Sequence, residues 1–228
     1  SGAINVNPRV VVSTETDTAL SFSGSNQYAM LDGTILPTAF NSPFTLEAWV
    51  YPTDAGSHDI IFSQGSGLNR FYIKRSGGNL IWARDGWGSE AEFNCGEVPT
   101  SAWSHIALSW NGTGTASCYI NGNLTLTTTR TGLSGTLTSP AVVGQYSADL
   151  TFPDSTAFAG QIDELKIWNS VRSASQILTS SNTRIDTSDA DLLVYFDFNE
   201  GSGNTLYNRE SGATYATDLT IGGSPSWT

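Results

Sequence analysis

The stretch from Trp82 to Glu90, Trp-Ala-Arg-Asp-Gly-Trp-Gly-Ser-Glu, holds side chains that could bind a sugar. An exposed indole stacks on the apolar face of a pyranose ring, and polar neighbours reach the hydroxyls. Trp87 lies between two glycines in an expected loop, and Arg84 and Asp85 offer donors and acceptors beside it. We therefore predict a ligand site of Trp87, Arg84, Asp85 and Trp82. A lid on the core for Trp87 and a core position for Trp82 are the alternatives.

A second candidate is the long connection from Gln145 to Asp154. Its Tyr146, Asp149 and Asp154 combine an aromatic ring with carboxylate acceptors, as the rim of a sugar pocket would require. An ordinary surface loop is the alternative. Tyr146 and Asp149 form the second group of predicted ligand-binding residues.

The sequence contains few arrangements of acidic residues or histidines that could support catalysis. A retaining glycosidase needs two carboxylates about 5 Å apart, and residues two apart on a strand would supply them. The nearest acidic clusters are Glu90 with Glu92, Asp163 with Glu164, and Asp197 with Glu200. The two histidines, His58 and His105, give little to a lyase, and the sequence has no Gly-rich phosphate loop, Cys cluster or Gly-x-Ser-x-Gly turn. We predict a non-catalytic domain, with a lyase or glycosidase of unfamiliar site as the less favoured alternative.

The charge balance limits the class of partner. Lys and Arg number 10 against 21 Asp and Glu, and the formal net charge of −11 repels nucleic acid and anionic lipid. No apolar run approaches the roughly 20 residues of a membrane span. A weakly charged, polar composition with 7 Trp is typical of proteins outside the cell. We expect a secreted or cell-surface protein without nucleic-acid binding or membrane insertion, and the start Ser1-Gly2-Ala3 suggests a piece of a longer chain with further domains.

The two cysteines, Cys95 and Cys118, are 23 positions apart. In a secreted protein such a pair forms a structural disulfide, whereas two free thiols would be ordinary in the cytosol. The composition favours the disulfide.

Short runs of β-branched and aromatic residues alternate with Gly, Asn, Asp and Ser clusters, which is typical of strands joined by turns. The expected strands are 19–22, 44–51, 59–62, 70–74, 79–83, 103–110, 117–120, 124–127, 141–143, 161–168 and 192–196. So many strands without intervening helices predict two packed antiparallel sheets in a single domain, residues 1–228. Asn121-Gly122 predicts a type I′ hairpin turn, and Ser173 with Gln176 predicts the capping box of one short helical connector.

Several segments together resemble the laminin-G-like and pentraxin-like family of concanavalin A-like jelly rolls. They are Ala19-Leu-Ser-Phe-Ser-Gly24 with Gln27-Tyr28, Phe44-Thr-Leu-Glu-Ala-Trp-Val-Tyr51, Trp103-Ser-His-Ile-Ala107, Cys118-Tyr-Ile-Asn-Gly122, Phe158-Ala-Gly-Gln-Ile-Asp-Glu-Leu-Lys-Ile-Trp168 and Leu193-Val-Tyr-Phe-Asp-Phe-Asn-Glu-Gly-Ser-Gly203. Their order and spacing cover nearly the whole chain. The resemblance implies an all-β jelly-roll sandwich of two curved antiparallel sheets, with a ligand on the concave face or loop rim and often bound calcium.

The same resemblance implies a structural calcium ion. Asp163 matches a position where the family often places a calcium carboxylate, facing the early loop in which Gly24 and Asn26 would supply oxygens. The alternative is that Asp163 only hydrogen-bonds backbone amides across the sandwich.

These features favour a non-catalytic carbohydrate-binding module of a secreted bacterial protein, which binds polysaccharide through exposed aromatic and polar side chains. An extracellular adhesion module that binds protein is the alternative.

Overall fold

The computed structural model describes residues 17–228 except 32, 38–39, 55–58, 67–68, 87–88, 130–135, 139, 147–155, 184 and 212–217, and it describes 66, 85–86 and 89–91 by backbone alone. The strands are β1 (Leu20–Ser23), β2 (Tyr28–Leu31), β3 (Phe44–Pro52), β4 (Asp59–Ser66), β5 (Asn69–Ser76), β6 (Asn79–Gly86), β7 (Ser89–Glu97), β8 (Ser104–Trp110), β9 (Thr115–Ile120), β10 (Asn123–Thr129), β11 (Ala141–Val143), β12 (Ala159–Trp168), β13 (Leu192–Phe196), β14 (Thr205–Leu206), β15 (Leu219–Gly222) and β16 (Ser226–Trp227). The helix α1 (Ala174–Asn182) lies between β12 and β13 in the chain.

The strands form two antiparallel sheets. Sheet A has the order β10-β9-β8-β3-β12-β1-β16, with β13 also paired to β12, and sheet B has the order β14-β15-β2-β11-β4-β5-β6-β7. Successive strands often belong to different sheets, since β1 and β3 lie in sheet A and β2 and β4 in sheet B. The all-β jelly-roll sandwich that the sequence predicts is confirmed.

Each sheet turns one face inward because apolar residues alternate along its strands. On β3, Leu46, Ala48 and Val50 are buried in the main core, together with Phe71 of β5. Phe71 packs edge-on against Phe44 across the sandwich, with ring centroids 5.7 Å apart. Each large apolar side chain buried in this way stabilises the fold by roughly 1.5–3 kcal/mol.

The disulfide between Cys95 and Cys118 joins the two sheets, since Cys95 lies on β7 and Cys118 on β9. The S–S distance is 2.07 Å, and both residues are buried in the main core. The predicted structural disulfide is confirmed.

The predicted hairpin turn and helix cap are also confirmed. Asn121 and Gly122, with φ angles of 51° and 74°, join β9 to β10. The Ser173 hydroxyl accepts the Gln176 N–H, and the Gln176 side chain accepts the Ser173 N–H, which completes a capping box. The helix covers the outer face of sheet A, where Ile177 packs against residues of β8 and β9. Within the described residues, no helix has the length and apolar character needed to cross a membrane.

A β-bulge interrupts β12. The pairing with β3 shifts between Asp163 and Lys166, and Glu164 has a φ of 55°. Because of this extra residue, Ile162 and Leu165 both point into the core although they are three positions apart, and Lys166 points to the outer face. The irregular spacing of apolar residues along β12 is therefore matched to its backbone.

The sequence patterns do not predict β2, β7, β14, β15 and β16. The longest of these, β7, reads Ser-Glu-Ala-Glu-Phe-Asn-Cys-Gly-Glu, and it contains no β-branched residue and several types depleted from strands. It lies at the edge of sheet B and pairs with β6 along its length. The hydrogen bonds to β6 therefore stabilise β7 although its residues have a low propensity for strands.

Candidate ligand-binding site

Strand β5 presents three polar residues on the outer face of sheet B. Arg70, Tyr72 and Lys74 alternate with Phe71 and Ile73, which belong to the main core. Side chains two residues apart on a strand share a face. The strand therefore brings two cationic groups and a phenol to the side of sheet B that faces away from the core.

Glu92 and Tyr146 complete what we call the outer-face cluster, which consists of Arg70, Tyr72, Lys74, Glu92 and Tyr146. The Tyr72 hydroxyl donates to Glu92 Oε1 at 3.0 Å, and Lys74 Nζ forms an ion pair with the same oxygen. The Lys74 side chain is buried, whereas that of Glu92 is 40% exposed. The carboxylate is therefore anchored by buried partners while part of it faces solvent.

Tyr146 positions Arg70 from the other side. Its ring packs edge-on against that of Tyr72, with centroids 5.7 Å apart, and the Arg70 guanidinium lies 4.6 Å from its centroid. The Ser63 hydroxyl donates to the Gln145 carbonyl at 2.7 Å and so ties the chain before Tyr146 to β4. Tyr146 itself is 8% exposed, so it supports Arg70 and does not offer a ring face to a ligand.

The structure brings the two sequence-predicted segments to this one face. Ala83 of β6 lies opposite Tyr72 on one side and opposite Glu92 on the other, and it shares a buried cluster with Tyr72 and Tyr146. The backbone of Asp85 continues β6. Trp87, Asp149 and the side chain of Asp85 lie outside the described residues, so their ligand contacts stay predictions.

Two of the predicted ligand-binding residues need correction. Trp82 is 1% exposed and stacks on Phe93 with ring centroids 4.5 Å apart. Arg84 is completely buried, and its guanidinium lies 5.4 Å from the Phe40 ring. Both residues occupy core-facing positions of β6, which extends further than the sequence predicts, to Gly86. Neither side chain can reach a ligand on the outer face.

Arg70, Lys74 and Glu92 were not among the predicted site residues. A signal for the first two was present in Arg70-Phe-Tyr-Ile-Lys-Arg75, where polar and apolar residues alternate. The pairing of Glu92 with Lys74 joins residues of different strands, and no local pattern could predict it.

The predicted calcium ligands do not come together. The Gly24 N–H donates to the Phe158 carbonyl at 3.1 Å, so Gly24 lies five residues from Asp163 along β12. At about 3.3 Å per residue this separation is about 16 Å, whereas calcium ligands lie within about 2.6 Å of the ion. Asp163 is buried, and its Oδ1 accepts the Glu164 N–H at 2.8 Å. Asp163, Gly24 and Asn26 therefore do not fit one calcium ion, and the described residues contain no group of three His, Cys, Asp or Glu suited to a metal.

The residues considered for catalysis are largely enclosed where they are described. His105 is buried, with Nε2 3.3 Å from Glu47 Oε2. Arg209 pairs with both Asp197 and Glu200, whose side chains are almost fully buried. Burial raises the pKa of Glu200, although the hydrogen bond from the Tyr207 N–H and the charge of Arg209 act in the opposite direction. His58 and the Glu90 side chain lie outside the described residues.

Comparison with known proteins agrees with this architecture. The family model of the concanavalin A-like lectin/glucanases superfamily matches residues 23–178. The rat (Rattus norvegicus) protein "Sushi, von Willebrand factor type A, EGF and pentraxin domain-containing protein 1" is 30% identical over an alignment of 190 residues, which covers 78% of this chain but only 5% of that protein.

Two solved structures share the fold. A candidate carbohydrate-binding protein from Bacteroides ovatus has a TM-score of 0.69 at 19% identity, over 94% of this chain and 60% of that one. Domain 4 of AbnA, an extracellular arabinanase from Geobacillus stearothermophilus solved with arabinotriose, has a TM-score of 0.55 at 23% identity, over 72% and 76% of the two chains. The family match covers more than half of the sequence, and the chain belongs to the concanavalin A-like lectin/glucanases superfamily.

Proposed function

We propose that this chain is a non-catalytic carbohydrate-binding module of a larger, secreted bacterial protein, and that it binds a neutral polysaccharide on the outer face of sheet B. The outer-face cluster carries this proposal. Its buried Tyr72 and Lys74 hold Glu92 at the surface, and the Tyr146 ring holds Arg70. Donors and acceptors that are fixed before binding lose little side-chain freedom when a ligand arrives.

Trp87 is the stacking platform in this proposal, with Asp85 and Asp149 as further polar contacts. Strand β6 ends at Gly86 and β7 begins at Ser89, so residue 87 belongs to the connection between them. The start of β5, which carries Arg70, lies at the same end of the sheet, since Phe71 is opposite Arg84. The ring and the charged groups would then border one surface.

The ligand class follows from charge and from similarity. A formal net charge of −11 disfavours acidic polysaccharides, and we propose a neutral chain as the ligand. The Bacteroides ovatus protein and the arabinanase domain with its arabinotriose support a glycan ligand. Arabinan is accordingly the first polysaccharide to test.

The experiment is affinity electrophoresis in gels that contain arabinan and other plant, algal and bacterial polysaccharides, run with calcium and with a chelator. We expect retardation by at least one neutral polysaccharide. Trp87→Ala and Arg70→Gln should each weaken binding about tenfold or more, as loss of a central contact does. Tyr207→Ala is the matched control, because it removes a ring that is 50% exposed beside β14, at the opposite edge of sheet B from β7.

Absence of retardation in every gel, or an equal loss in the Tyr207→Ala control, would contradict the proposal. The chelator tests calcium separately. Since Asp163, Gly24 and Asn26 do not fit one ion, loss of binding on chelation would require a calcium site elsewhere in the chain.

An adhesion module that binds protein is the second candidate. The observation that favours it is the 30% identity to a rat protein whose name combines Sushi, von Willebrand factor, EGF and pentraxin domains. Binding to no polysaccharide, together with saturable binding to a defined extracellular protein that Arg70→Gln weakens, would favour this function instead.

A further inference from the structure

An open pocket of about 320 Å³ lies between α1 and the residues that lead to β13, on the outer face of sheet A. Helix α1 lines one side with Ser175, Gln176 and Thr179, and Asp186 and Asp189 line the other. Its size is at the lower end of the range for small-molecule pockets, about 300–1,000 Å³. The pocket and the outer-face cluster lie on different sheets, so they are separate sites.

Arg172 gives the pocket a positioned cation. Its guanidinium lies 3.9 Å from the centroid of the Trp168 ring, and its Nη1 is 3.4 Å from Asp189 Oδ2. Its Nε is buried and has no hydrogen-bond partner among the residues that the structure describes. A buried donor left unpaired costs about 1–3 kcal/mol. This Nε is closed to solvent, so an oxygen of a bound ligand would contact the exposed part of the Arg172 side chain, which amounts to 12%.

The remaining lining determines the chemistry of that ligand. Ser175 and Thr179 contribute hydroxyls and Gln176 an amide. Hydrogen bonds from Ser188 lower the pKa of Asp186, so this group is a carboxylate at neutral pH. Two carboxylates against one guanidinium disfavour an anion, whereas hydroxyl groups can donate to carboxylates and accept from arginine.

We propose that this pocket binds a neutral sugar residue, either free or at the end of a chain. The Arg172 guanidinium, held on the Trp168 ring, donates to a ligand oxygen, and Asp186 and Asp189 accept from its hydroxyls. The module would then carry a sugar site on each of its two sheets. This second site does not depend on the proposed role of sheet B.

The test is a titration of the folded chain with arabinose, xylose, glucose, galactose and arabinotriose. Binding is measured by saturation-transfer difference NMR and by calorimetry. We expect at least one of these sugars to bind. Thr179→Trp fills the pocket from the helix, and Arg172→Lys keeps the charge but loses the planar donor group. Each should weaken binding about tenfold or more, a change of about 1.4 kcal/mol.

Two controls separate the sites. Asn182→Trp adds the same bulk to α1 at an exposed residue outside the lining, and Trp87→Ala alters the proposed site on sheet B. Both should leave this binding unchanged. A higher affinity for arabinotriose than for arabinose would identify a chain end, and equal affinities a free sugar. If Thr179→Trp unfolds the chain, Arg172→Lys decides. Binding by none of the sugars, or binding that only Trp87→Ala weakens, would overturn the inference.

Discussion

The outer faces of the two sheets use similar groups in different ways. On sheet A, Glu47 accepts hydrogen bonds from Trp168 Nε1 at 2.8 Å and from the Ser180 hydroxyl at 2.7 Å. On sheet B, Glu92 accepts from the Tyr72 hydroxyl and pairs with Lys74. In each case a carboxylate is held by an aromatic donor and a second polar group.

The difference lies in what covers the two carboxylates. Glu47 is completely buried beneath α1, which contributes Ser180 to its partners, whereas Glu92 is 40% exposed. Burial raises the pKa of Glu47, but His105, Lys166 and Ser180 outweigh this effect and leave the pKa below its ordinary value. Covered by a helix, such a carboxylate contributes to stability. Left partly open, it can contact a ligand.

The largest expected effect comes from exchanging these carboxylates for alanine. Glu47→Ala leaves buried donors without their acceptor, and we expect the free energy of unfolding to fall by about 3–5 kcal/mol. Glu92→Ala removes a carboxylate that is 40% exposed but leaves the buried Lys74 without its partner, so we expect a smaller loss of about 1–3 kcal/mol. Chemical denaturation measures both. Equal losses would mean that the helix does not distinguish the two faces.

A second test concerns the covalent link between the sheets. Replacing Cys95 and Cys118 together by serine removes the link that joins β7 to β9. We expect a loss of about 2–4 kcal/mol in unfolding free energy, as for other disulfides. Denaturation of the oxidised and reduced native chain gives the matched comparison. Unchanged stability in the variant would show that core packing alone holds the sheets together.

A smaller effect should appear in the pH dependence of stability. Burial and the neighbouring Asp54 raise the pKa of Asp59, at the start of β4, to about 7, although Arg75 opposes this shift. The folded chain holds this proton more tightly than the unfolded chain does, so protonation favours folding. The contribution is complete below the unfolded pKa of about 3.8 and is lost as the pH rises through about 7.

Asp59→Asn should remove this pH-dependent part. When the pH is raised from 5 to 8, we expect the melting temperature of the native chain to fall by about 2–4 °C more than that of the variant. This difference corresponds to roughly 1 kcal/mol of unfolding free energy. Differential scanning calorimetry at several pH values measures it. Parallel profiles would show that Asp59 does not titrate in this range.

Much of the fold could be predicted because its signals are local. Alternation in Phe44–Pro52 predicts a strand with its smaller apolar residues on one face, and both faces of that strand are buried. Asn121-Gly122 predicts a hairpin turn because both positions accept positive φ. Strand β7 could not be predicted in this way, since pairing with β6 stabilises it. Its polar sequence is explained by its position at the edge of sheet B.

The site was predicted less completely. Tyr146 and the region of β6 do meet on one face, but Trp82 and Arg84 point into the core. The direction of a side chain near the end of a strand depends on where the strand ends, and a shift of one residue reverses it. Contacts such as that of Lys74 with Glu92 depend on strand order, which local sequence does not encode.

The bulge at Glu164 determines which changes of length β12 can accept. Asp163 pairs with Trp49 and Lys166 with Glu47, so two residues of β12 lie opposite the single residue Ala48. Deletion of one of these two residues would remove the bulge and leave a regular strand, in which Lys166 would still face outward beside the buried Glu47. Insertion of one residue into the regularly paired part before Asp163 would instead turn the strand beyond it over, so that Lys166 would enter the core. Sequences related to this one can therefore lose a residue at the bulge more readily than they can gain one in the paired part of β12.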